Sequence, residues 1–462
     1  MELSLFGVIV IALGILTFVL PYRWAVYVMV ASTLFGATEA VAFGGLGVLP
    51  ASLMMPLFVA RALFLEDSRA IRSSLRVGSP GFWLLVLTGY ACMTAVVFPR
   101  MLADTTSVYS IDRSNIGTTQ LMLQPLGPVS GNLSQSAYLI GECLLYLAAS
   151  TVMRRRDASR AVADAFLFLT ALNAIAAAAD LFGSAAGVSL LDPLKTAQYS
   201  ILDGAEVGGM RRISGTFSEA SAFAGFSLPL FAFTANLWLL GYRRSLSGWL
   251  ALLTAGFVLL STSSTGYVGL SIYLAVFMAS RSGAIARNSQ ARKFRMLAVA
   301  CVAVALIACV LVAIDSPIVT AVSEVINRTL TSKMSSDSGV ERSAWNMQSL
   351  INFVDTFGLG AGLGSARASS FVAVTLGNLG LLGAMLFGLF LYRTVRVRVR
   401  PATWASDRIV SFAAVQALAA ALIGATLSGT VFDLGPCVYL FAAAAFGALN
   451  VRRASNREPR AT

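Results

Sequence analysis

The 462-residue chain contains no histidine. That absence removes imidazole metal ligands, Ser–His and Cys–His catalytic pairs, and any imidazole base. Charge is scarce as well: Asp, Glu, Lys and Arg make up 12% of the residues, against roughly 25% in a soluble globular chain. A soluble enzyme, a disordered tail and a secreted disulfide scaffold are thereby excluded. Cysteine is thin and unpatterned. Cys92, Cys143, Cys301, Cys309 and Cys437 sit in apolar runs without C-x-x-C spacing, so they read as small packing residues and not as metal or redox groups. No metal or cofactor is expected.

What is abundant is apolar sequence, 57% of residues with a mean hydropathy of +0.77. At about 20 residues per span there is room for a dozen or so transmembrane helices. Apolar runs bounded by charge or Pro/Gly clusters fall near 3–21, 24–44, 46–65, 81–98, 136–152, 161–183, 216–241, 246–261, 264–280, 296–314, 370–391, 409–428 and 431–450. These are thirteen spans, or twelve if the short second and third form one broken unit. The first run lacks a basic leader and a small-residue cleavage site, so it reads as a retained span. The expected fold is an all-α polytopic membrane protein, one integral domain over 1–462.

The net charge of +12 is topological. Arg100, Arg113, Lys195, Arg211, Arg212, Arg328, Lys333, Arg342 and Arg367 fall in one set of alternating connections, and the other 25 of the 34 Lys and Arg fall in the opposite set. The positive-inside rule places the richer set in the cytoplasm, and nucleic acid is not an expected partner. Three long connections then face the other side, at 99–135, 184–215 and 315–369. In the last, 318–331 has helical apolar spacing suited to lying along the membrane surface. Ser338 to Glu341 has capping-box spacing, and Trp345, Ile351, Val354 and Phe357 follow as an apolar stripe. Gly358, Gly360, Gly362 and Gly364 end that helix. Two helices and a glycine turn are expected to lid the outer face.

Glu39, Glu142, Asp180, Glu219 and Asp433 lie in or beside spans, each near the outer leaflet. An ionisable group at that depth is costly unless paired or wet, so each is a candidate site residue. Their common depth points to one outward cavity; the alternative is a set of separate interfacial acids. Arg211, Arg212, Arg342 and Arg367 are the outward guanidinium groups, suited to bidentate contact with a diphosphate or, alternatively, to headgroup contacts. Glu341 closes the capping box and is set aside.

Arg212-Ile-Ser-Gly-Thr-Phe-Ser-Glu-Ala-Ser221 heads a long apolar span. Leu260-Ser-Thr-Ser-Ser-Thr-Gly-Tyr-Val-Gly269, the glycine run 358–364 and Gly377-Asn-Leu-Gly-Leu-Leu-Gly383 follow in order. Over about 211–390 this series resembles the O-antigen polymerase and ligase superfamily (Wzy-like), most nearly the exopolysaccharide repeat-unit polymerases. Arg342 and Gly358, with fifteen residues between them, also fit a polymerase spacing. The resemblance departs at Thr265, where many members carry Arg, and at Ala368-Ser369, where a His–Asn pair is common.

The resemblance implies a GT-C-like, metal-independent glycosyltransferase of the bacterial inner membrane. Such an enzyme works at the periplasmic face on oligosaccharides linked to undecaprenyl diphosphate, in the lipid bilayer, with a chain-length regulator as a further partner. Carried over, it makes Arg212, Glu219 and Arg342 the catalytic candidates. Arg211, Ser221, Arg367, Glu142 and Asp180 are the substrate-binding candidates from resemblance and placement together. Without histidine, Glu219 is the expected base. A ligase with another acceptor and a lipid-linked oligosaccharide flippase stay open as alternatives.

Overall fold

The computed structural model describes residues 2–43, 46–65, 68–112, 120–155, 157–197, 206–207, 210–286, 288–298, 302, 337–396 and 405–447. The candidate span 296–314 and the amphipathic stretch 318–331 therefore lie almost wholly outside the described residues. Among those described, five helices are long and apolar enough to cross a membrane. They are α5 (Pro80–Met101), α7 (Ala158–Ala185), α8 (Ala220–Leu240), α12 (Phe371–Val395) and α13 (Ala405–Ser428). Five shorter apolar helices accompany them: α1 (Leu5–Leu16), α3 (Pro50–Leu65), α9 (Arg244–Leu260), α10 (Ser264–Ala279) and α14 (Pro436–Gly447). With α2 (Tyr22–Ser32), α4 (Ser68–Ser74), α6 (Ser130–Val152) and α11 (Asp337–Asp355) they form the bundle of an all-α membrane protein.

Small residues let these helices approach closely. Ala413, Ala414, Ala417 and Ala420 on α13 and Ala442 to Ala445 on α14 are fully buried. Between them Phe166 stacks on Phe441 at 4.1 Å between ring centres, and Phe233 meets Phe441 at 5.4 Å. Helix ends rich in Arg and Lys gather at one end of the bundle. There Arg61 donates to Thr17 O (2.7 Å) and Leu20 O (3.2 Å) beyond α1, and Lys293 donates to Phe277 O and Ser280 O behind α10. Both satisfy carbonyls that a helix C-terminus leaves open.

The opposite end departs from the sequence reading. The run 24–44 is not one helix: α2 stops at Ser32, and β2 (Val41–Phe43) lies between β1 (Glu2–Leu3) and β3 (Leu46–Val48) in an antiparallel sheet. The connection 99–135 holds a second hairpin, β4 (Ser107–Asp112) with β5 (Gln120–Pro125), and ends in the first turns of α6. A third pairs β6 (Glu206–Val207) with β7 (Met210–Arg211).

Helix α12 is broken at Gly380, whose φ of 64° and ψ of −163° cannot continue a helix. The break strands backbone groups that a bilayer cannot hydrogen-bond. The glycine run takes them up. Ala361 N donates to Gly377 O and Gly362 N to Asn378 O, both at 2.8 Å, and Leu381 N donates to Gly358 O at 2.9 Å. Tyr90 Oη donates to Leu379 O at 3.1 Å. The Asn378 side chain accepts from Ala366 N and donates to Ala366 O. Gly358, Gly360, Gly362 and Gly364 all have φ between 78° and 97°, a region costly for any residue with a Cβ. Alternate glycines also touch different elements: a Cβ on Gly360 would lie 2.6 Å from Asn378 O, one on Gly362 2.6 Å from Thr94 O, and one on Gly364 would strike Gly131 O.

This insertion lays α11 along the first half of α12, with Ser349 Oγ donating to Ala373 O at 2.8 Å. The expected stripe on α11 is not one face. Trp345 turns inward to Tyr109, 6.4 Å between ring centres, whereas Ile351, Val354 and Phe357 are 40%, 69% and 91% exposed. The face against the protein is polar, with Ser349, Asn352 and Thr356 at most 1% exposed. Ser338 and Glu341 both fall within α11, and the residues before Asp337 lie outside the described ones.

Gly364→Val places a Cβ in a left-handed backbone and against the Gly131 carbonyl, so it should cost at least about 2 kcal/mol of stability. Gly89→Ala, with open space at its Cβ and a helical backbone, should be neutral or gain up to about 1 kcal/mol. Thermal unfolding of the purified variants in detergent checks both, and equal melting temperatures would contradict the role given to the glycine run.

Candidate functional site

The segment 212–219 enters α8 as an irregular loop held from below by one carboxylate. Asp180, near the C-terminal end of α7, accepts through Oδ2 from Ser214 N and Gly215 N, both at 2.8 Å, and from Ser214 Oγ at 3.4 Å. Gly215 takes φ of 56° to turn both N–H groups the same way. Thr216 Oγ1 donates to Leu34 O at 2.6 Å and Ala37 N to Thr216 O at 2.9 Å, tying the loop to the end of α2. Phe217 seats against Gly36, where a Cβ would collide with its ring. Asp180 Oδ2 therefore holds the loop and positions the motif.

Glu219 occupies the N-cap position of α8 with extended backbone (φ −153°, ψ 160°), yet its side chain does not cap the helix. It accepts instead from Ser221 Oγ. Ser221 is 6% exposed, so it orients the carboxylate. Arg212 is half-buried, and its Nε is buried without a hydrogen-bond partner among the described residues. Burial pulls the Arg212 guanidinium below its usual range. Glu219 raises it, Arg342 lowers it further and Tyr267 raises it. Glu219 at the start of α8, Tyr267 from α10 and Arg342 from α11 are thus the groups whose charge is felt at this guanidinium. Two guanidinium groups against one carboxylate leave net positive charge, and a multivalent anion relieves their repulsion.

The Ser/Thr strip adjoins this group through Tyr267. Thr262, between α9 and α10, has φ of 47°, a strained position for a β-branched residue. Its Oγ1 and the Ser263 Oγ are buried and without partners among the described residues. Thr265, where the resemblance departs from an Arg, is 3% exposed. Thr262, Ser263 and Tyr267 were legible in the sequence only as a hydroxyl-rich strip; nothing there ties Tyr267 to Arg212.

The other candidates go elsewhere. Arg367 N donates to Tyr109 O at 2.8 Å, and its residue lines a small hollow, open to the surface, with Gln135 and Ser365. It does not join Arg212 in any described interaction. The Arg211 backbone pairs with Glu206 in β7, and its side chain is outside the described residues. Glu142 is 1% exposed and lies against Asp433, Tyr439 and Gly435, while Asp433 Oδ1 accepts from Gly435 N at 2.7 Å. That pair lies between α6 and the turn before α14, away from the Arg212 loop in sequence and in its described partners. Glu39 packs its carboxyl on Gly47 and takes Thr196 Oγ1 on its backbone N–H. The five acids therefore have different described partners.

The fold and this site define an all-α membrane protein with a positively charged, partly buried group at one end of its bundle. The chain matches no protein-family model and no curated protein.

Asp180→Ala leaves two buried backbone N–H groups without acceptors and should lower stability by about 1–3 kcal/mol. Glu219→Gln, which keeps the shape and holds no loop, should stay within about 0.5 kcal/mol of the parent. Thermal unfolding in detergent separates the two, and the reverse order would exchange their roles.

Proposed function

We propose that the chain polymerises oligosaccharide repeat units carried on undecaprenyl diphosphate, as a GT-C-like glycosyltransferase acting at the periplasmic face of the bacterial inner membrane. The observation that carries this reading is the buried Arg212 Nε, without a partner among the described residues, in the field of Glu219 and Arg342. A diphosphate leaving group supplies the anion this group lacks, and a membrane protein supplies the apolar surroundings that its polyprenyl tail requires.

In the reaction an acceptor hydroxyl attacks the anomeric carbon of a second lipid-linked glycan. The new C–O bond forms as the bond from that carbon to the phosphate oxygen breaks, and undecaprenyl diphosphate departs. Arg212 and Arg342 stabilise the negative charge that develops on the leaving oxygen. Glu219 takes the hydroxyl proton, and Ser221 fixes which carboxylate oxygen faces the acceptor. The diphosphate is already a good leaving group, so charge stabilisation carries most of the rate and the carboxylate mainly aligns the nucleophile. The strip hydroxyls of Thr262 and Ser263 stand ready for phosphate oxygens.

The experiment is the profile of lipid-linked glycans in cells carrying single variants at native membrane levels. Glu219→Gln and Arg212→Lys should each abolish polymer and leave single repeats, since a point charge cannot replace the planar fork. Long free polymer in these cells would favour the ligase alternative, substrate retained on the cytoplasmic side would favour a flippase, and normal chain lengths would remove the site.

A further inference from the structure

The hollow lined by Arg367 has a chemistry of its own. Its walls come from the N-terminal turns of α6 (Ser130, Ser134, Gln135), the end of the glycine run, Ser110 on β4 and the Val431–Phe432 turn. Gly131 and Gly364 meet backbone to backbone in that wall, so no side chain closes it there. Asn132 Nδ2 fixes the facing loop by donating to Leu363 O (2.7 Å) and Ser365 Oγ (2.8 Å). Gln135 is 9% exposed, and its Oε1 is buried without a partner among the described residues. A buried acceptor of this kind costs stability unless a ligand or water brings it a donor.

A diphosphate is the wrong ligand for such a wall. It offers oxygen acceptors, whereas Gln135 Oε1 requires a hydrogen to be brought to it. A saccharide brings hydroxyl donors and acceptors together on its rim, with an apolar ring face that suits Val431 and Phe432. The N–H groups of the first α6 turn are placed to donate to oxygen atoms of the same ring. The hollow is joined to the charged group through α11. Trp345, one turn from Arg342, packs on Tyr109 beside Ser110, and Asn346 Oδ1 accepts from Ser369 N at 2.8 Å, two residues beyond Arg367.

We infer that this hollow at the α6 N-terminus is a saccharide subsite, separate from the Arg212–Glu219–Arg342 group, and that it seats a sugar of the acceptor glycan through a hydroxyl donated to Gln135. The assignment to the acceptor rests on the transferase reading above; the saccharide site does not.

The test is saturation-transfer difference NMR on the purified full-length protein in detergent, with the methyl glycosides of glucose, galactose, mannose and rhamnose. At least one glycoside should receive saturation. That transfer should fall at least fivefold in Gln135→Leu and in Ser134→Phe, a rim substitution at a half-buried position, and should persist in Arg212→Ala. Thermal unfolding confirms that the variants are folded, and Ser134→Phe carries the test if Gln135→Leu is not. No transfer from any glycoside, or equal transfer in both hollow variants, overturns the inference. Hollow-dependent transfer alongside normal polymer in Arg212→Lys cells upholds the saccharide site and removes the transferase reading instead.

Discussion

Backbone groups released at Gly380 must find partners inside the protein, because the hydrocarbon around α12 offers none. The glycine run 358–364 answers that demand with its own N–H and C=O groups, and the rest of the site end follows from it. Its alternate residues have no Cβ, so it passes within contact of α12, α5 and α6 at once. That passage presses α11 onto α12, brings Arg342 to the Arg212 loop, and sets Arg367 and Ser365 into the wall of the hollow. A Cβ at any of Gly360, Gly362 or Gly364 would strike one of these helices and also sit on a left-handed backbone position.

Electrostatics sorts the two ends of the bundle differently. At the basic end, cations are discharged onto protein: Arg23 pairs with Asp157, Arg243 with Asp164, and Arg61 and Lys293 take helix carbonyls. At the site end Asp180 is used up on the loop it anchors, and Glu142 is turned towards Asp433 and Tyr439. Glu219 is the described carboxylate whose charge acts on Arg212. The positive excess follows from how the acids are employed, and an anionic substrate is what it can hold.

Several features were legible in the residues. Hydropathy located the apolar helices, and the string from Arg212 to Ser221 marked the loop and helix start where the charged group forms. Other features depend on coordinates a linear pattern does not carry. Depth along a span is one-dimensional, so Glu142, Asp180 and Glu219 looked alike although they lie at different places around the bundle. The α11 period was readable, but period alone does not say which face meets protein; here Ile351, Val354 and Phe357 turn outward and Ser349, Asn352 and Thr356 turn in. The glycine run read as a terminator because its partner, the break at Gly380, is distant in sequence. Gln135 carried no signal at all, being an ordinary residue whose meaning lies in an unmet hydrogen bond.

The central claim is that Arg212 and Arg342 act on one anion. Titration calorimetry with inorganic pyrophosphate on the purified protein tests it most directly, using Arg212→Ala, Arg342→Ala and the double variant. The account expects each single change to weaken binding at least tenfold, and the double to lose less than the product of the two, since each guanidinium contacts the same ligand. Unchanged affinity in either single variant, or fully independent losses, would contradict it.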